Sequence, residues 1–204
     1  GDPKERLSGL FHHTEPDAVY YDFNPLRGPR SVVKHLSNME IPQYVVDTHN
    51  VVPVWETSDK LEVGAYTIRP KLHKKLDTYL TEPEQLKKQT KSWPGDVQSV
   101  DNLHDNIQKI LSKQPKNNTK VTFTSGESAS KKYLDKFISH KLERYAVDRN
   151  DPSSGSQSDL SPYLHYGHIS ALRVALELRE VSAKHGDDLH FLHSPKMPKP
   201  EEAE

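Results

Sequence analysis

The chain has 204 residues, of which 33% are hydrophobic and 28% charged, with a mean hydropathy of -0.84 and a formal net charge of -1. This composition is polar for an enzyme, so we expect a well-filled core over only part of the chain, and the near-zero charge gives no global electrostatic case for nucleic-acid binding. The absence of cysteine excludes disulfides, iron–sulfur clusters and thiol catalysis, and no apolar run approaches the roughly 18 residues that would cross a membrane.

Two short apolar runs near the start of the chain predict buried strands. Residues 18–23 (A-V-Y-Y-D-F) end at an Asn-Pro turn signal, and residues 43–47 (Q-Y-V-V-D) have the same character. A helix should start between them, within residues 31–36. A strand, a helix and a strand within about thirty residues are typical of a parallel βαβ unit, and such a sheet should have more strands than this chain supplies.

The next stretch is less regular. Residues 50–55 are apolar, but Pro53 argues against a central strand and favours a loop that packs Trp55 onto the domain. Residues 62–76 have helical spacing, which Pro70 should interrupt unless it lies in the first turn.

A polar connection separates this part from a second ordered region. Residues 81–125 are rich in Lys, Gln, Asn, Pro and Ser, and predict an irregular interdomain connection with one weak helix near 102–111. A helix should follow, because Thr124 and Glu127 have the spacing of a capping box and apolar residues then keep a helical period as far as Tyr145.

The densest structural signals lie at residues 157–170, Q-S-D-L-S-P-Y-L-H-Y-G-H-I-S. Ser161 and Pro162 suit a helix N-cap and first turn, Gly167 suits a left-handed stop, and Ser170 can cap a second helix. Two helix N-termini this close together present free N–H groups that suit an anion such as a diphosphate. An ordinary helix–turn–helix corner explains the same residues, and physical chemistry alone favours that explanation.

Three stretches carry a family resemblance. Residues 157–170 resemble the flavin-binding signature of the photolyase/cryptochrome family, a hydroxyl–x–leucine–serine–proline run followed by an aromatic residue and glycine. Residues 47–69 (D-T-H-N-V-V-P-V-W-E-T-S-D-K-L-E-V-G-A-Y-T-I-R) are similar to the hallmark run of class II cyclobutane-pyrimidine-dimer photolyases, and residues 22–30 (D-F-N-P-L-R-G-P-R) to the segment before it. The three matches stand in the family's order, which makes the resemblance specific.

The resemblance implies an architecture of α/β plus all-α type. Its parts would be a partial α/β amino-terminal domain with an incomplete parallel sheet (1–80), an interdomain linker (81–123), the first helices of the helical FAD-binding domain (124–190) and a disordered tail (191–204).

The resemblance also implies FAD as the cofactor and a set of residues near its phosphate and ribitol. Tyr145 matches a tyrosine that reaches the phosphate in relatives, but it also ends the apolar stripe of its helix, and the two roles are evenly weighted. Gln157 stands where many relatives have a hydroxyl residue. The full set of predicted cofactor-binding residues is Tyr145, Gln157, Ser158, Asp159, Leu160 and Ser161.

Other chemistries have weaker support. The sequence has no P-loop, G-x-S-x-G or G-x-G-x-x-G motif, and no catalytic residue is assigned. We expect no metal site, because His190 and His193 lie three residues apart without a partner pair. The basic clusters at 69–75 and 87–91 have the charge to contact a phosphate backbone, but solvated helix faces are the commoner reason for such clusters.

The function that the resemblance implies is light-dependent repair of cyclobutane pyrimidine dimers in damaged DNA, by electron transfer from reduced FAD. The protein would be a monomer without a membrane segment, inside the cell in the cytoplasm or nucleus. Trp55 and Trp93 are the only tryptophans, so the carboxy-terminal electron-transfer tryptophans of the family are absent, and the sequence does not begin with methionine. We therefore expect a truncated chain that is impaired or inactive by itself.

Two alternatives remain open at this level. A cryptochrome-like photoreceptor would bind flavin and signal without repairing DNA. A non-catalytic fragment would bind no cofactor, as the low apolar content and the polar connection would suit.

Overall fold

In a computed structural model, the protein is described over residues 2–88, 102–114 and 121–185. Its elements in these ranges are α1 (Pro3–Thr14), β1 (Val19–Asp22), α2 (Arg27–Leu36), β2 (Gln43–Val46), α3 (Val54–Thr57), α4 (Ala65–His73), α5 (Leu76–Tyr79), α6 (Leu103–Ser112), α7 (Glu127–His140), α8 (Leu142–Asp148), α9 (Ser161–His165) and α10 (Ala171–His185). In these same ranges no helix is long and apolar enough to cross a bilayer.

The chain forms two compact units. One unit joins Gly1–Glu82 to Gly126–Glu204, and the other is Pro83–Ser125. The second unit contains α6, which confirms the helix predicted near residues 102–111. The predicted tail at 191–204 lies outside the described residues, and the division of the chain into family domains stays a prediction.

The predicted βαβ unit is confirmed. Strand β1 pairs in parallel with β2, with Val19 opposite Gln43 and Asp22 opposite Val46, and α2 forms the crossover. Helix α2 begins earlier than the sequence predicted, at Arg27. Its proline, the third helical residue, lies where the missing N–H would have no intrahelical acceptor, so the helix tolerates it.

The loop after β2 is organised by the buried carboxylate of Asp47. Its Oδ1 accepts the backbone N–H groups of His49 (3.2 Å) and Asn50 (3.1 Å), and its Oδ2 accepts those of Val54 (2.9 Å) and the Asn50 side chain (2.9 Å). Burial raises the pKa of Asp47, but the hydrogen bonds from the Asn50 amide and the three backbone groups lower it by more. The loop therefore depends on an ionised aspartate.

Two expectations for the following segment need correction. Trp55 lies in the short helix α3, not in a loop; it meets Phe23 edge-on at 5.9 Å but stays 47% exposed. Pro70 does not interrupt α4 and does not lie in its first turn. It is the sixth residue of the helix, where it removes one donor only, and α4 ends three residues later at His73.

An ion pair fixes α4 to the segment before it. Lys71 Nζ lies 2.5 Å from Glu62 Oε1, and the Ser58 hydroxyl donates to the same oxygen at 2.6 Å. Hydrogen bonds from Lys71, then from Ser58 and Thr67, lower the pKa of Glu62 to about 2 from its usual 4.5.

The predicted helix over 124–145 forms as two helices that break at Lys141, where φ is -126°. Helix α7 begins at Glu127, with Gly126 at the N-cap position and a φ of 105°, a value that strongly favours glycine. Thr124 therefore does not hold the N-cap position that the predicted capping box requires. Glu127 pairs with Lys131 at 3.1 Å.

A small apolar core lies among α7, α9 and the start of α10. Its buried members are Leu134, Phe137, Leu160, Tyr163 and Ile169. Helix α10 also contacts residues 80–82, which directly follow α5. Arg173 makes a bidentate ion pair with Glu82 (2.9 and 2.8 Å), and the Arg179 guanidinium donates to the Leu80 carbonyl at 2.5 Å.

We predict that Leu160→Ala lowers the free energy of unfolding by about 2–4 kcal/mol, because the side chain is 3% exposed and its removal leaves a cavity among packed neighbours. Urea denaturation measures the change. Leu164→Ala is the matched control, since Leu164 is 40% exposed and should cost about 1 kcal/mol or less. Equal losses in the two variants would contradict the prediction.

Asp47→Ala should lower the free energy of unfolding by about 1–3 kcal/mol, because it leaves several donors of the loop without their acceptor. The same urea titration measures it. Asp59→Ala, at an exposed position nearby, should change the free energy by about 0.5 kcal/mol or less. A wild-type midpoint for Asp47→Ala would show that the loop does not depend on this carboxylate.

Glu62 should make stability depend on pH at the acid end. Its folded-state pKa is depressed, so its contribution is fully present above pH 4.5 and is lost as the pH falls towards 2. In Glu62→Gln, the urea midpoint of unfolding should therefore fall less steeply between pH 4.5 and pH 2 than it does in the wild type. Glu143→Gln, at an exposed position on α8, should keep the wild-type slope, and parallel curves for Glu62→Gln would refute the assignment.

Candidate functional site

The candidate site is the loop of residues 156–160 and the helix α9 that follows it. The predicted N-cap role of Ser161 is wrong: Ser161 is the first residue of α9, and Leu160 holds the cap position without a side-chain cap bond. The reason is that Asp159 adopts a left-handed backbone, with φ of 59°, which turns the chain one residue earlier and directs Leu160 into the core.

The two signals after α9 are confirmed. Gly167 has φ of +69°, and the next N–H, that of His168, donates to the Tyr163 carbonyl at 2.8 Å, as expected for a left-handed helix stop. The Ser170 hydroxyl accepts the Arg173 N–H at 3.0 Å and so caps α10. The corner between α9 and α10 is therefore fixed by local contacts.

Four of the six predicted cofactor residues form two pairs, one of serines and one of packed side chains. Ser158 and Ser161 both offer a hydroxyl. Ser158 is half-buried, and its Oγ accepts the Leu160 N–H at 3.4 Å, while Ser161 is exposed. Leu160 and Tyr145 pack against apolar neighbours. Leu160 lies in the core, and Tyr145 is half-buried, with its ring perpendicular to that of Phe137 and 5.1 Å from it between ring centroids.

Gln157 and Asp159 are engaged with the protein itself. Lys141 Nζ donates to the Gln157 carbonyl at 2.7 Å and to Asp159 Oδ2 at 3.0 Å, and the Gln157 side-chain amide donates to the Arg149 carbonyl. Sequence reasoning missed Lys141 as a site residue. Its partners lie 16 and 18 positions away, and only the fold brings them together.

The polar turn before the loop is also ordered by side chains. Asp151 Oδ1 accepts both the N–H (2.8 Å) and the hydroxyl (2.6 Å) of Ser153, which lowers the pKa of Asp151. Ser156 is buried, and its hydroxyl lies 3.5 Å from Asp148 Oδ2, which Arg144 also holds at 2.9 Å. These contacts fix the position of Ser156, the first residue of the loop.

The chemistry of these groups fits part of a dinucleotide cofactor. Serine hydroxyls and a lysine ammonium are donors, and phosphate oxygens are acceptors. Asp159 is the one carboxylate in the loop, and Lys141 balances its charge. These residues could thus hold the phosphates and sugar alcohol of FAD. For a metal there is no comparable set: within the described ranges, no three His, Asp or Glu residues are grouped to hold an ion.

A second concave region lies beside the carboxyl end of β1. It is an open cleft of about 770 Å³ between the end of that strand and α2. Its lining includes the apolar or aromatic side chains of Tyr21, Phe23 and Val33 and the basic side chains of Arg30 and Lys34. It lies outside the residues predicted to bind the cofactor.

Several photo-lyases are similar in sequence to most of this chain. A deoxyribodipyrimidine photo-lyase of Arabidopsis thaliana is 39% identical over 194 residues, which are 89% of this chain and 38% of that protein. The photo-lyase of Potorous tridactylus is 30% identical over 201 residues, which are 93% of this chain and 36% of that protein. The chain thus spans little more than a third of the length of these relatives. No family model matches it.

Solved structures agree at the level of the fold. A bacterial class III photolyase from Agrobacterium tumefaciens superposes with a TM-score of 0.57 at 19% identity, over 91% of this chain and 39% of its own. A Synechocystis cryptochrome superposes with a TM-score of 0.64 at 17% identity, over 94% of this chain and 41% of its own. The predicted α/β plus all-α fold class is confirmed by these neighbours. By its sequence, the chain belongs to the deoxyribodipyrimidine photo-lyase family, and its fold agrees with that.

Proposed function

We propose that the chain is the part of a light-dependent DNA photolyase that holds one side of its FAD, and that the whole activity is repair of cyclobutane pyrimidine dimers. The observation that carries the proposal is the 39% identity to a deoxyribodipyrimidine photo-lyase over 89% of the chain. The ordered loop that presents Ser158 and Ser161 supports it independently, because its donors suit phosphate oxygens.

The residues of this chain would bind and orient the cofactor. Ser158 and Ser161 would donate to the phosphates and the ribitol, and Tyr145 would add its hydroxyl at the same side. Gln157 and Asp159 would act through the loop backbone, since their side chains bond to the protein. Leu160 would anchor the loop in the core. Reduced FAD supplies the electron that splits the dimer, a chemistry that belongs to the cofactor.

We assign the chain to the class II branch on the run at residues 47–69. In this run Asp47 forms the hydrogen-bonded centre of the loop, which gives a structural reason for the D-x-H-N-V-V-P-V-W pattern. The partner would be DNA containing pyrimidine dimers, with the dimer flipped out of the helix, and the protein would act as a monomer.

A cryptochrome-like photoreceptor is the second candidate. The Synechocystis cryptochrome shares the fold, with a TM-score of 0.64, and this shared fold is the reason to test a function without repair. This function shares flavin binding with the first and differs in the absence of repair. A fragment that binds no cofactor is the third outcome of the same experiment.

The decisive experiment starts with flavin binding. The purified chain is incubated with excess FAD and desalted, and its absorption spectrum is recorded. We expect a stoichiometric flavin band at about 450 nm. The double variant Ser158→Ala/Ser161→Ala should bind FAD at least about tenfold more weakly, because each hydroxyl would lose a hydrogen bond to a charged phosphate oxygen, and such bonds add to the binding free energy. Ser128→Ala, an exposed serine of α7, should bind like the wild type.

The loaded chain is then illuminated with DNA that contains cyclobutane dimers, with dark and undamaged controls. Loss of dimers in the light supports the photolyase. Bound flavin without repair supports the cofactor-holding role of this part of a photolyase, and it is also the result that a photoreceptor would give. A colourless wild-type chain would contradict cofactor binding by these residues and support the fragment.

A further inference from the structure

The side chain of Lys141 reaches from the break between α7 and α8 to the loop that bears the site hydroxyls. Its backbone leaves the helical conformation, with φ of -126°, while its N–H still donates to the Phe137 carbonyl at 2.9 Å. The side chain is 20% exposed, so most of its length lies against the protein and its ammonium faces the loop. This is a fixed position for a residue type that is usually solvated.

Two contacts hold the loop to that ammonium. The Gln157 carbonyl accepts at 2.7 Å and Asp159 Oδ2 at 3.0 Å, so a main-chain group and a side chain on either side of Ser158 are both fixed. Asp159 is in the left-handed region, at φ of 59°, a conformation that costs energy for any residue with a side chain. The ion pair helps to offset that cost.

The far end of the loop is fixed by packing. Leu160 is 3% exposed and belongs to the apolar core, so the loop is held by charge at Asp159 and by burial at the next residue. Ser158 and Ser161 flank these two anchors. Their hydroxyls are consequently positioned before any ligand arrives, which reduces the entropy lost on binding.

Charge balance supplies a second role. A carboxylate in a loop that receives phosphates would repel them, and the Lys141–Asp159 pair cancels that charge locally.

We propose that Lys141 is a positioning residue of the cofactor site, which holds residues 157–159 in the conformation that binds the phosphate and ribitol part of FAD and neutralises Asp159 beside it. The inference rests on the proposed function. It assigns Lys141 no contact with the reacting atoms.

The test compares FAD affinity among folded variants, by fluorescence titration at a temperature well below the unfolding midpoint, with circular dichroism as the check on folding. Lys141→Met should raise the dissociation constant by about three- to tenfold. Lys141→Arg, which keeps the charge and the donors, should stay within about twofold of the wild type. The matched control is Lys136→Met, an exposed lysine on α7, which should bind like the wild type.

Amide hydrogen exchange of the cofactor-free protein gives a second measurement that does not need flavin. Lys141→Met should speed exchange in residues 157–161 and leave the interior of α7 unchanged, whereas a general loss of stability would raise both. Should Lys141→Met fail to fold, Lys141→Gln removes the charge while keeping a polar side chain, and the same two comparisons apply.

The outcomes separate this inference from the proposed function. Wild-type affinity in a folded Lys141→Met or Lys141→Gln variant overturns the positioning role while leaving flavin binding intact. Failure of the wild type itself to bind FAD contradicts the proposed function. In that case the cofactor role of Lys141 falls with it, and hydrogen exchange decides only whether Lys141 holds the loop: unchanged exchange at 157–161 overturns this, and faster exchange confined to that loop supports it.

Discussion

Burial of Leu160 against α7 is the contact on which the rest of the helical region depends. Leu160 lies with Leu134 and Phe137 in one core, and this contact decides where α9 starts. The turn that brings it there requires the left-handed backbone of Asp159. The exposed hydroxyl at the start of α9 follows from the burial of this leucine, and the loop before it is held by the same burial together with the Lys141–Asp159 ion pair.

Polar groups do much of the organising elsewhere, as a chain with 33% hydrophobic residues requires. Around Asp47 a single carboxylate replaces regular structure, because it collects the backbone donors of a loop that has no ladder to satisfy them. The pair of Glu62 and Lys71 does the same for the segment before α4. Such contacts fix a loop without a large apolar core, but they depend on the ionisation of the groups that make them.

The sequence predicted the features that depend on neighbouring residues. The strands around residues 18–23 and 43–47, the stop at Gly167 and the cap at Ser170 follow from residue type within a few positions. Cap positions that depend on tertiary packing were wrong, as at Ser161, because the burial of the preceding leucine shifted the start of the helix. Lys141 was missed for a related reason: a lysine at the end of an amphipathic helix carries no sign of a partner 18 residues away. The cofactor residues themselves came from resemblance to a family, not from periodicity or spacing.

The attachment of α10 to the end of the first segment has a topological consequence. Arg173 and Glu82 are 91 positions apart, and Arg179 and Leu80 are 99 apart, yet each pair belongs to the same compact unit. The stretch Pro83–Ser125 is therefore a covalent insertion between two segments that also contact each other directly. A single peptide-bond cut in that insertion would divide the polypeptide into two pieces, whose association would then depend on noncovalent contacts such as these.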